Sequence, residues 1–226
     1  MPIRAILFDL DGTLLDTLAD LGRSVNLVLE AHGCPGHPIE AYRYFVGEGV
    51  VRLFERTLPA GHRDAKVVGA CVRDFERVYG ENWNVQTRLY PGVADLLDAL
   101  TERGVRMAVL SNKPDVFTRQ CAEAYLAPWR FEAVFGQREG IPRKPDPTGA
   151  GEIVERLAVP PESFIYLGDT STDMETARNA GMHGVGVAWG FRPVEELRSA
   201  GAEAILEHPT DLVELLNGWQ FPMGRL

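Results

Sequence analysis

The chain has 226 residues, 45% of them apolar and 24% charged, and carries a net charge of −9. That balance excludes a disordered chain, and no apolar run reaches the eighteen or so residues that a transmembrane helix needs. A basic nucleic-acid or anionic-membrane surface is not expected, because no Lys/Arg cluster interrupts the acidic excess. Cys34, Cys71 and Cys121 are odd in number and widely spaced, which predicts reduced, buried thiols rather than a disulfide framework. The opening Met1-Pro-Ile-Arg4 leads into an apolar run too brief for a signal peptide, so a cytoplasmic location is expected.

In chain order, Ala5-Ile-Leu-Phe8 reads as a buried strand ending in Asp9-Leu-Asp11-Gly-Thr13. Residues 16–86 then read as helical. Leu18, Leu21, Val25, Val28 and Leu29 share one helical face, and further helical patterns cover Val50–Leu58 and Ala65–Val78. From residue 90 onward helices and strands alternate. Helices are predicted at Val93–Arg103, Val116–Tyr125, Gly149–Leu157, Thr172–Asn179, Val194–Ser199 and Asp211–Leu216. Strands are predicted at Val105–Leu110, Ala133–Phe135, Phe164–Leu167, Gly184–Ala188 and Ala204–Leu206. This alternation implies an α/β fold: a Rossmann-like parallel sheet core (residues 1–15 and 87–226) with an inserted α-helical cap domain (residues 16–86).

Four segments near strand ends carry polar residues. They are Asp9-Leu-Asp11-Gly-Thr13, Ser111-Asn-Lys-Pro114, Arg143-Lys-Pro-Asp-Pro147 and Gly168-Asp-Thr-Ser-Thr-Asp173. In an open parallel sheet, ligands bind outside the carboxyl ends of the strands. One pocket could therefore collect Asp9, Asp11, Thr13, Ser111, Asn112, Lys144, Asp169 and Asp173. Asp9 and Asp11 project to the same side of an extended chain, and two adjacent carboxylates call for a positive partner. Clustered carboxylates suit Mg²⁺. Hydroxyls and turn N–H groups can hold phosphate oxygens, and a lysine offsets the acids. An aspartate can attack phosphorus, and a second can protonate the leaving oxygen and then activate water.

Together the four segments resemble the haloacid dehalogenase-like hydrolase superfamily: its DxDGT, its strand-end Ser/Thr, its Lys before Pro and its GDxxxD. The resemblance spans almost the whole chain. It implies Asp9 as nucleophile and Mg²⁺ ligand, and Asp11 as general acid/base whose backbone carbonyl also ligates the metal. Asp169 would be the remaining protein ligand, with Asp173 beyond the direct ligands or ligating through water. Ser111 and Lys144 would bind the transferred phosphoryl group, with Thr13 and Asn112 in support. The insertion would be the family's cap, closing over substrate. Asp11 points to phosphate transfer rather than dehalogenation, since a leaving alkoxide needs a proton and a halide does not.

Within the superfamily, Tyr44 to Leu58, Ser111 to Pro114 and Ala188 to Arg192 resemble phosphoglycolate phosphatases. Gly47, Gly49 and Arg52 are then expected substrate contacts, with Arg192 a further candidate for an anion. Many relatives are expected to carry Asn between the two glycines. This chain has Glu48, a charge unfavourable beside a substrate carboxylate. The expected activity is Mg²⁺-dependent hydrolysis of a small, 2-phosphoglycolate-like phosphate monoester by a monomer or homodimer. The alternatives are a phosphatase for a sugar phosphate or pyrophosphate, a phosphosugar mutase, and a catalytically silent binding protein. His32 and His37 lie close together at a spacing that fits no zinc site. Trp189 and Phe191 are expected to serve packing.

Overall fold

In the computed structural model, which describes residues 2–218, the first apolar run is strand β1 (Ala5–Phe8), buried along its whole length. Its side chains alternate between two cores. Ile6 and Phe8 pack with Leu96, Leu97 and Leu100, whereas Ala5 and Leu7 pack with Ile153 and Leu157. A strand covered on both faces needs such an unbroken apolar run.

A two-residue strand β2 (Leu15–Asp16) follows, then helices α1 (Leu18–Ala31), α2 (Val50–Thr57) and α3 (Ala65–Asn82), with 3₁₀ turns at Ile39–Tyr44 and Ala60–His62. The chain returns through β3 (Arg88–Leu89), antiparallel to β2, with Leu15 opposite Leu89 and Asp16 opposite Arg88. The remaining elements alternate: α4 (Val93–Glu102), β4 (Arg106–Pro114), α5 (Asp115–Tyr125), β5 (Phe131–Gln137), α6 (Thr148–Leu157) and β6 (Phe164–Gly168). After them come α7 (Ser171–Asn179), β7 (His183–Val187), α8 (Val194–Ser199), β8 (Ala204–Leu206) and α9 (Asp211–Gly218).

The six-stranded sheet has the order β5-β4-β1-β6-β7-β8, and every neighbouring pair is parallel. The chain steps outward from β1 to β4 and β5, then returns to β6 on the other side of β1. The carboxyl ends of β1 and β6 therefore border the topological switch point, where open α/β sheets bind ligands. The expected strand ending at Leu110 runs on to Pro114, because Ser111, Asn112 and Lys113 stay buried and the pairing with β5 resumes after a register shift. The β2–β3 ribbon was not expected, since two residues are too few to show a period.

The three helices α1–α3 build their own core around Val25, Leu29, Phe54, Cys71, Phe75 and Tyr79, and Phe117 and Phe191 join it from the sheet side. Asp64 caps α3, accepting from the N–H groups of Lys66 and Val67. Asp20, buried in α1, accepts from Gln86 N (2.8 Å), Thr87 N (2.8 Å) and Thr87 Oγ1 (2.9 Å), which pins the returning chain against the helix that began the excursion. The three cysteines are free and buried. Among the described residues, no helix is long and apolar enough to cross a membrane.

Candidate active site

Asp9 follows β1 and is anchored by its N–H, which donates to Leu167 O at 2.9 Å. Beyond it the chain turns sharply at Gly12, whose φ of +89° favours glycine. A Cβ there would lie 2.2 Å from Asp169 Oδ2, so the turn also makes room for the acid that follows β6. Asp169 is held from two further sides: Phe191 N–H donates to Oδ2 (2.8 Å) and Thr13 Oγ1 to Oδ1 (3.3 Å). A Cβ on Gly190 would come within 2.2 Å of Asp169 Cβ, and Trp189 Nε1 ties this loop to Thr13 O at 3.0 Å.

One carboxylate oxygen from each of Asp9, Asp169 and Asp173 falls within 4.8 Å of the others. Lys144 Nζ is the counter-charge, 2.9 Å from Asp9 Oδ1, 2.7 Å from Asp173 Oδ1 and 3.1 Å from Leu110 O. Asp173 also accepts from Thr170 N and Thr170 Oγ1, closing a capping box on α7, so both of its oxygens are engaged. Burial pushes the Asp9 carboxyl up to about 7, against the pull of Lys144. Burial, with Asp173 and Asp9, pushes Asp169 well above the carboxylate range. Burial alone would lower Lys144, but Asp173 and Asp9 outweigh it and hold the ammonium charged.

Three carboxylates cluster here, and the one ammonium among them pairs with two, Asp9 and Asp173. An all-oxygen donor set of three clustered carboxylates beside a single ammonium fits a hard divalent cation.

Asp11, one residue beyond, meets a different environment. Its Oδ1 accepts from Lys113 Nζ at 2.9 Å, and the same ammonium donates to Tyr79 OH at 2.7 Å. Burial would lower Lys113, but Asp11 and Tyr79 reverse the effect and raise it. Neither Lys113 nor Tyr79 was singled out in the sequence. A signal was present: Lys113 stands two residues after Ser111 on an extended segment, which puts both on one side.

Asp9, Asp11, Ser111, Asn112, Gly47 and Gly49 line one cavity beneath α2 and α3, enclosing about 60 Å³. Lys144 reaches its floor through Asp9. Asn112 directs its amide to backbone: Nδ2 donates to Gly47 O (3.0 Å) and Lys144 O (3.1 Å), and Lys144 N–H donates to Oδ1 (2.9 Å). Thr13 turns its hydroxyl to Asp169. Arg52 is not brought to this cavity; it pairs with Glu55 at 2.6 Å on an exposed helix face. Arg192 donates to Arg43 O and Val46 O, fastening the helical insert to the sheet layer. Glu48 pairs with Arg56 rather than facing Asp9. His32 pairs with Asp74 and His37 with Thr57 O, so the two histidines share no site.

Acids at the carboxyl ends of β1 and β6, with a lysine between them, define a hydrolase-type α/β centre. The family model for haloacid dehalogenase-like hydrolases matches residues 6–187. Phosphoglycolate phosphatase of Nitrosospira multiformis is 32% identical over 219 residues, covering 96% of each chain. That of Escherichia coli K12 is 30% identical over 233 residues, covering 95% of this chain and 92% of its own. A crystal structure from Lactobacillus delbrueckii subsp. bulgaricus superimposes with a TM-score of 0.90 at 32% identity, over 97% of this chain and all of that one. CbbY from Rhodobacter sphaeroides, crystallised with xylulose-(1,5)bisphosphate, superimposes with a TM-score of 0.77 at 25% identity, over 93% and 96% of the two chains. The chain belongs to the haloacid dehalogenase-like hydrolase family.

Proposed function

We propose that this chain hydrolyses a small phosphate monoester through an aspartyl-phosphate on Asp9. The observation that carries the reading is the different company kept by two acids one residue apart. Asp9 lies among Lys144, Asp169 and Asp173, and Asp11 lies against Lys113, yet both open on one cavity with Ser111.

An Asp9 carboxylate oxygen attacks phosphorus while the bond to the ester oxygen breaks. Asp11 gives its proton to that leaving oxygen. In the second step Asp11 takes a proton from water, the water oxygen attacks phosphorus, and the Asp9 carboxylate is released with inorganic phosphate. Ser111 Oγ and Lys144 Nζ hold the phosphoryl oxygens, and Asp173 orients Lys144 from behind. Mg²⁺, held by Asp9, Asp169 and the Asp11 carbonyl, would offset charge between nucleophile and phosphate. The helical insert acts as a cap that excludes water from the cavity, with Gly47 and Gly49 at its edge.

The test is phosphate release from a panel of small phosphate esters, in Mg²⁺ and then in excess chelator, for the natural chain and Asp9→Asn. Mg²⁺-dependent release that Asp9→Asn abolishes is the expected result. Full activity in Asp9→Asn would remove the mechanism. Isomerisation of a phosphosugar without net phosphate release would replace hydrolysis by mutase chemistry.

A further inference from the structure

The short segment after β7 is used residue by residue. Trp189 Nε1 donates to Thr13 O, Gly190 is pressed against Asp169, and Phe191 N–H donates to Asp169 Oδ2 at 2.8 Å. Arg192, its side chain only 9% exposed, sends its guanidinium into the helical insert. There it donates to the carbonyls of Arg43 and Val46 and lies 5.3 Å from the centre of the Tyr44 ring. The insert answers from the same place, where Arg43 Nη1 donates to Gly190 O at 2.9 Å. Two arginines, one from each layer, thus hold each other's backbone. From this clasp we infer that Arg43 is a positioning residue for Asp169: by holding the Gly190 carbonyl it fixes the peptide that aims the Asp169 carboxylate, so the seating of the insert and the binding of a divalent cation are linked. The inference rests on the proposed role of Asp169 as a cation ligand.

The carbonyl that Arg43 holds and the N–H that holds Asp169 belong to one peptide unit, Gly190–Phe191. That unit is trans, so its C=O and N–H lie in one plane and point opposite ways. A guanidinium on one side and a carboxylate on the other therefore fix its orientation between them. A charged donor on the carbonyl also polarises the unit and strengthens its N–H as a donor. Gly190 has no room to shift toward the acids, since a Cβ there would lie 2.2 Å from Asp169 Cβ and 2.7 Å from Gly12 O. The other donor to Asp169, Thr13 Oγ1, stands farther off at 3.3 Å. The clasp can also open without stranding a charge, because Arg43 keeps Glu40 (2.8 Å) and Arg192 keeps Glu196 (3.5 Å) on their own layers. Coupling of this kind is reciprocal: a cation on Asp169 favours the seated insert as much as the seated insert favours the cation.

The test measures Mg²⁺ affinity by calorimetry, without substrate, on the natural chain, Arg43→Met and Arg88→Met. Arg43→Met keeps a long side chain and loses the donor. Arg88→Met removes the pair with Asp16 at the base of the insert and leaves the 189–192 segment untouched. The dissociation constant is expected to rise about tenfold in Arg43→Met, the lower end of what losing an outer partner of a metal ligand costs, and to stay unchanged in Arg88→Met. Arg43→Lys, which can still donate to Gly190 O, is expected to recover most of the affinity. Mg²⁺ should also slow amide hydrogen exchange over residues 43–53 of the natural chain, and by less in Arg43→Met. Unchanged affinity in Arg43→Met overturns the inference, as does an equal loss in Arg88→Met or exchange that ignores Mg²⁺. A natural chain that binds no Mg²⁺ removes the cation role of Asp169 and the inference with it, whereas a variant that binds as well as the natural chain removes the inference alone.

Discussion

Tyr79, on the helical insert, and Asp11, at the end of the first strand, meet through one buried ammonium: Lys113 Nζ lies 2.7 Å from the hydroxyl and 2.9 Å from the carboxylate. The proposed general acid is thus wired to the layer that covers it. Tyr79→Phe keeps the ring, which stacks on Phe75 at 5.1 Å, but deprives Lys113 of one acceptor. A hydrogen bond to a charged group contributes roughly 1.5–3 kcal/mol. A loss of that size in urea unfolding is expected, together with a lower kcat and little change in KM. An unchanged kcat would show that the insert does not act on Asp11.

Asp11→Asn retains the backbone carbonyl and leaves Asp9 and Asp169 in place. Divalent-cation affinity should therefore persist while hydrolysis slows. The loss should be of the order of 10²–10⁴-fold for an alkyl phosphate, the usual range for a lost general acid. It should be much smaller for an aryl phosphate, whose leaving group needs little protonation. Equal losses for both esters would reassign the proton donor.

Lys144→Met leaves Asp173 buried with no ammonium at Oδ1. Breaking a buried pair from one side costs roughly 3–5 kcal/mol, and most of that should return when Asp173→Asn is added. Urea unfolding of the two single variants and the double variant measures the coupling. Additive losses would mean that the pair contributes nothing as a pair.

Asp9 is pushed up to about 7 by burial, and Asp169 is raised well above the usual carboxylate range by burial and by its acidic neighbours. The metal-free folded protein therefore holds protons that the unfolded chain releases near pH 4. The stabilisation they represent is complete below that pH and is lost as pH rises through 7. In chelator the melting temperature should fall between pH 5 and 8. Mg²⁺ competes with those protons, so its stabilising shift should be larger at pH 8 than at pH 5.5. An equal shift at both values would place the cation elsewhere.

Much of the sheet and the acidic floor was legible in the sequence, because both are written locally. An unbroken apolar run such as Ala5–Phe8 announces a doubly covered strand, and Asp9 and Asp169 follow directly from such runs. What could not be read depends on distant pairs. Lys113 looked like one more polar residue until α3 brought Tyr79 to it. Arg52 looked like an anion contact, yet the turn of α2 carries it to the exposed face beside Glu55. Glu48 looked like a charge facing substrate, but Arg56, one helix length away, draws it aside. The β2–β3 ribbon is too short to leave a periodic trace.

That ribbon sets Asp16 against Arg88, so the chain departs and comes back through a single doorway. Whatever is threaded between those two residues meets the rest of the molecule with its ends already side by side. Such an arrangement makes the intervening segment exchangeable: another insert with neighbouring ends can be spliced in without redrawing the sheet. The acids at the strand ends lie on one side of that doorway, and Leu21, Val50, Leu53 and Phe75, which line the cavity with them, lie on the other.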